Sequence, residues 1–225
     1  MLDGTGRSPE SSAEARGVEM VGSSEQVRTR RKPVRGTALL LVAAALFLCG
    51  CSFFSGSSDG LVGERLTSFP VIDRATLTAT QARVVDAAAT EFADPRAGAG
   101  YSEGNTEPWC ANFVSWVMRA AGLPLINPNS GSWRIPGVYT LQEYYETSGR
   151  FAAAGSGYRP VTGDVILYSP ESRFGQHTNI VLAEDHGTLT TIGGNEGDAV
   201  GIERWNPAAV PDIHIVGYGR LSPGW

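Results

Sequence analysis

The sequence predicts an α+β domain in which N-terminal helices pack on an antiparallel β-sheet. Three observations predict it. Helical periods come first, at 82–92, between Thr106 and Gly122, and at 139–147. Short apolar strand-like runs follow, at 164–168, 177–183, 188–192, 200–204 and 213–218. Connections such as Glu184-Asp185-His186-Gly187 are short enough to join antiparallel neighbours. Helices before strands, rather than alternating with them, argue α+β over a parallel α/β sheet.

The first helical stretch, ARVVDAAATEF, is alanine-rich and ends at Asp94-Pro95, and Gly98, Gly100 and Gly104 then mark a loop. The second has the clearest signals. Thr106 is placed as N-cap and Pro108 suits a first turn, while Gly122 is placed to terminate and Pro124 blocks continuation. Cys110, Phe113, Val114, Val117, Met118 and Ala121 fall on one stripe, which puts Cys110 inward in the first turn. A long loop at 126–137 carries Trp133, and YTLQEYYET at 139–147 reads as a third helix.

The chain organises into three parts. Residues 1–51 read as an export signal: Arg28, Arg30, Arg31, Lys32 and Arg35 precede the apolar run TALLLVAAALFL, which ends at Leu48-Cys49-Gly50-Cys51. That tetrapeptide resembles the bacterial lipobox and implies lipidation at Cys51. The alternative is a plain transmembrane anchor, for which the apolar run is short of the roughly 20 residues a helix needs to cross a bilayer. Met20 is an alternative start that would shorten the basic region. Either anchor, a lipid or an N-terminal helix, attaches the chain to the membrane, with the remainder outside the cytoplasm in the cell envelope. Residues 52–80 read as a Ser/Gly-rich flexible tether followed by an extended lead-in, and 81–225 as the folded domain.

Net charge is −5, and no Lys follows Lys32. No clustered basic patch is present for nucleic acid, which excludes that partner class. With Cys49 and Cys51 in the signal, Cys110 is a lone thiol in an exported domain, either inert or kept for chemistry. A helix start favours the thiolate through the macrodipole and the unpaired N–H groups. A base is then needed among three histidines. His177 begins a strand, where a side chain can face a cleft. His186 sits in a hairpin connection and reads as exposed, and His214 alternates with Ile213 and Ile215 on a strand. Asn195, in the run Gly193-Gly194-Asn195-Glu196, ends the strand that neighbours the His177 strand and can orient the imidazole. Glu196 is the alternative, and a simple Gly-Gly-Asn turn is the structural reading.

The runs EPWCANFVSWVMRAAGLP, GDVILY, HTNIVL and TIGGNEGDAV, in that order, resemble the CHAP domain, the cysteine- and histidine-dependent amidohydrolases and peptidases of the papain-like superfamily. The resemblance implies a papain-like (CHAP/NlpC-type) fold, with Cys110 as nucleophile and His177 as base. Many CHAP domains carry Glu-Gly-Asn after the third strand. Here Gly193 stands at the Glu position, which leaves Asn195 as the default third group. Trp109, beside the nucleophile, and Trp133, on the long loop, are candidate substrate contacts. Asp164 at a strand start reads as a turn residue. No metal or other cofactor is expected: some CHAP domains bind calcium ahead of the nucleophile, but Asp94 and Glu103 do not form a ligand set. The implied substrate is peptidoglycan, cut either between muramic acid and L-alanine or within stem or cross-bridge peptides. The rival readings are a CHAP-fold surface lipoprotein that binds wall or partner without turnover, and a scaffold for another envelope protein.

Overall fold

The computed structural model describes residues 60–222. The expected export signal, the lipidation site Cys51 and the tether up to residue 59 lie outside the described residues. In chain order the elements are β1 (Glu64–Leu66), α1 (Ala79–Ala93), α2 (Gly98–Tyr101), α3 (Cys110–Ala120), α4 (Val138–Thr147), β2 (Phe151–Ala153), β3 (Val165–Tyr168), β4 (His177–Asp185), β5 (Thr188–Gly193), β6 (Gly201–Trp205) and β7 (Ile215–Gly219). The strands make one sheet in the order β1-β6-β5-β4-β3-β7-β2, and every neighbouring pair is antiparallel. The helices come first in sequence and pack on this sheet, so the architecture is the α+β one expected.

Helix α3 is central because its apolar stripe faces β4 while α1 covers it from outside. Phe113, Val114 and Val117 are fully buried with Ile180 and Leu182 of β4 and Val84 and Ala88 of α1. Each such side chain is worth about 1.5–3 kcal/mol in apolar area removed from water. A smaller apolar cluster, Ile166, Tyr168, Val181, Leu189 and Trp205, joins β3, β4, β5 and β6.

The ends of the helices follow local chemistry. Helix α1 starts three residues earlier than its alanine-rich period because Thr78 and Gln81 form a capping box: the Gln81 N–H donates to Thr78 Oγ1 at 3.2 Å and the Thr78 N–H donates to Gln81 Oε1 at 2.8 Å. Helix α3 ends at Gly122, whose φ of +73° lets the Leu123 N–H reach the Met118 carbonyl at 2.9 Å. Its start differs from the expectation. Thr106 is exposed and caps nothing, and the helix begins at Cys110 itself. Residues 105–109 are held outside the helix by Glu107, whose carboxylate accepts from Arg134 Nη1 at 2.7 Å and from Asn112 Nδ2 at 3.0 Å.

The expected boundary at residue 81 also moves. Val62 is fully buried, β1 pairs with β6, and a 3-10 turn at Arg74–Thr76 leads into α1. Residues 61–66, expected as part of an extended lead-in, therefore form a strap packed on the domain. The glycine-rich stretch expected as loop contains α2, and β2 is an edge strand with no period long enough to read.

Candidate active site

Cys110 is the first residue of α3 and is 6% exposed. Its N-cap is Trp109, whose indole makes no capping hydrogen bond, so the first-turn N–H groups keep their partial positive charge for whatever lies beside the sulfur. The Trp109 ring stacks on Tyr101 with centroids 5.1 Å apart, and its Nε1–H donates to Asp198 Oδ1 at 3.3 Å. This fixes the turn just ahead of the thiol and ties it to the loop after β5.

His177 opens β4 opposite Tyr168 of β3, in an antiparallel pair. The imidazole lies near-parallel to the Tyr168 ring, centroids 5.9 Å apart, and edge-on to Phe174 at 5.8 Å. It is 4% exposed and faces two partners: the Cys110 thiol, and Glu196 Oε1 at 3.4 Å from Nε2. Burial by itself would lower the imidazole pKa. The contacts with Cys110 and then Glu196 outweigh it, pushing the pKa up to about 9.

The group that meets His177 is Glu196, not Asn195. Glu196 is 1% exposed. Burial raises its carboxyl above the usual range; His177 opposes that rise, the neighbouring Glu203 adds to it, and Arg65 opposes it. Asn195 instead makes the turn. Its φ of +61° is a left-handed conformation that asparagine tolerates better than most residues, and reversing the chain there swings the next side chain inward. Glu196 Oε1 occupies the space that a Cβ at residue 193 would enter, and Gly194 lies so close to α3 that a Cβ there would meet Phe113 and the Trp109 ring. The Gly-Gly pair thus serves close approach. A carboxylate does lie beside the position where the resembling family carries Glu, but it is delivered from residue 196.

The remaining candidates land elsewhere. Trp109 is 4% exposed and works as packing, not as an open cleft wall. Trp133 is half-buried against Trp116, centroids 5.8 Å apart, and under the Arg119 guanidinium at 4.4 Å, towards the far end of α3 from Cys110. His186, in its hairpin connection as expected, and His214 are both exposed. The Asp164 carboxylate accepts from the Tyr158 hydroxyl at 2.6 Å and from the Val161 and Leu221 N–H groups, a turn-fixing role. Phe174, against His177, carried no sequence signal. Cavities of about 590 and 600 Å³ are bounded by other residues, so volume does not mark this site. Among the described residues no cluster of three or more His, Cys, Asp or Glu side chains is arranged to hold a metal, and no helix is long and apolar enough to cross a membrane.

A thiol at a helix start, an imidazole that meets it, and a buried carboxylate 3.4 Å from that imidazole make a constellation suited to nucleophilic acyl chemistry. Residues 101–195 match the CHAP domain family model. The match takes in Cys110, His177 and Asn195 and stops one residue short of Glu196. No curated protein matches the chain. Two solved structures resemble part of it. The crystal structure of Ly7917 is 17% identical with a TM-score of 0.35, over 48% of this chain and 51% of that one. The structure of Ly7917 with the hydrolyzing product of MDP is 21% identical with a TM-score of 0.37, over 65% of this chain and 64% of that one. The chain therefore spans between half and two-thirds of the length of the solved structures it resembles.

Proposed function

We propose that this chain is a cell-envelope cysteine amidohydrolase or peptidase that cleaves amide bonds of peptidoglycan, with Cys110 as nucleophile, His177 as base and acid, and Glu196 as the group that orients His177. The observation that carries the reading is the His177 imidazole, buried between the Cys110 thiol and the Glu196 carboxylate. The CHAP match over 101–195 supports peptidoglycan as the substrate class.

The Cys110 thiolate, paired with the His177 imidazolium, attacks the amide carbonyl and forms a C–S bond. First-turn N–H groups of α3 take the charge that develops on the carbonyl oxygen. As the C–N bond breaks, His177 gives its proton to the leaving amine. His177 then removes a proton from water, whose oxygen attacks the thioester, and the C–S bond breaks to return the thiolate. Glu196 holds the ring throughout and stabilises the imidazolium at each stage where His177 carries the proton. In this reading the export signal and lipidation at Cys51 place the domain on the outer face of the membrane, within reach of the wall.

The test is digestion of purified peptidoglycan by the full-length protein, with new termini identified by mass spectrometry. Release of new amine and carboxyl ends by the wild type and not by Cys110→Ala supports the reading, and a free muramic lactyl carboxyl with L-alanine amines assigns amidase specificity. No release, or equal release by Cys110→Ala, refutes it.

A further inference from the structure

The strap at 61–66 does more than cover the edge of the sheet. Arg65 lies opposite Glu203 in the β1–β6 pair. Its Nη1 donates to the Glu196 carbonyl at 3.1 Å and its Nη2 to the Val200 carbonyl at 3.3 Å, so one guanidinium spans both ends of the turn that delivers Glu196. The arginine is itself placed by Glu203, which is fully buried: Oε1 lies 3.9 Å from Arg65 Nη1, and the carboxylate accepts the N–H groups of Leu61, Val62 and Gly63. Gly201 makes the convergence possible, since a Cβ there would collide with both Glu196 Oε2 and Arg65 Nη2.

Glu196 Oε2 is buried and has no hydrogen-bond partner among the described residues. The charged and titratable groups that face this carboxylate are His177 from β4, Glu203 from β6, Arg65 from β1 and the Tyr168 phenol from β3, with Cys110 of α3 beyond the imidazole. Glu203 opposes ionisation of Glu196, whereas His177 and Arg65 favour it.

We infer that Arg65 is a positioning residue for the Cys110–His177–Glu196 site, fixing the Glu196 turn through two carbonyls and so holding the Glu196 carboxyl against His177. This rests on the reading of that site given above, and it ties one strap residue, Arg65, to the site.

The test uses the full-length protein as Arg65→Met, which keeps the apolar stem, and Arg65→Lys, which keeps the charge but not the two-carbonyl reach. Glu64→Gln is the control: Glu64 pairs with Arg204 at 2.6 Å across the same two strands and touches neither Glu196 nor Glu203. The readouts are the His177 imidazole titration by NMR and the pH profile of peptidoglycan hydrolysis. Arg65→Met should lower the His177 midpoint by about one unit or more and cut turnover at neutral pH by about tenfold or more, as loss of an orienting partner does. Arg65→Lys should fall between Arg65→Met and wild type, and Glu64→Gln should match wild type. An unshifted His177 midpoint in Arg65→Met, or an equal fall in Glu64→Gln, overturns the inference. If Arg65→Met does not fold, a wild-type midpoint in folded Arg65→Lys overturns it instead. A wild-type His177 midpoint at or below the ordinary value refutes the site reading itself, before any Arg65 variant is measured.

Discussion

Glu196 Oε1 lies 3.4 Å from His177 Nε2, with both side chains almost wholly removed from solvent. A carboxylate so placed selects the tautomer and stabilises the imidazolium, so substitution should read out in chemistry rather than in folding. Glu196→Gln is expected to lose about 10²-fold or more in kcat/KM with little change in melting temperature. Asn195→Gly keeps the left-handed backbone and should stay within about threefold of wild type, since glycine adopts that conformation freely. Parallel kinetics on the two variants decide which residue serves His177.

The pH dependence follows from the His177 pKa, raised from 6.5 to about 9. The imidazolium needed to protonate the leaving amine is present below that value, so kcat/KM should decline as pH rises through about 9. The same shift is a stability statement. A histidine whose folded pKa lies above its unfolded one contributes stability that is complete below about pH 6.5 and is lost as pH rises through about 9. Melting temperature should therefore drop between pH 7 and pH 10 in the wild type, and less so in His177→Gln, as followed by circular dichroism.

Close packing at the Gly-Gly pair gives a third expectation. Gly194→Ala drives a methyl into Phe113 and the Trp109 ring, and overpacking of this kind costs about 1–3 kcal/mol. Gly193→Ala presses on the Glu196 carboxylate instead. Chemical denaturation should find Gly194→Ala less stable than wild type, while assays should find Gly193→Ala short of activity by about tenfold or more.

The strap supplies a fourth. Glu203 is buried and takes its N–H donors from Leu61, Val62 and Gly63. Removing the chain up to Leu66 strands that carboxylate, and breaking a buried charge from its partners costs about 3–5 kcal/mol. A version starting at residue 67 should melt far below one that retains residue 60 onward, measured by thermal unfolding.

How much of this was legible in the sequence differs by element for physical reasons. Helix α3 was visible because Cys110, Phe113, Val114 and Val117 repeat at the helical period, and β3 to β7 because each carries enough apolar residues to bury. Edge strands β1 and β2 have three residues each, too few for a pattern, and their pairing depends on β6 and β7. Cys110 and His177 were readable as residue types at a helix start and a strand start. The switch from Asn195 to Glu196 was not, because two adjacent residues differ there only in which way the turn throws them. The available signal was Gly-Gly-Asn itself: an asparagine suited to positive φ turns the chain and sends its successor inward. Thr106 failed as a cap because Glu107, tied to Arg134 and Asn112, holds its segment off the helix axis.

The most direct measurement is the pH profile of iodoacetamide labelling at Cys110 in wild type and His177→Ala. A thiol paired with the imidazole is expected to label near neutral pH at least about tenfold faster in wild type than in His177→Ala. Identical profiles for the two proteins would contradict an activated nucleophile at this site.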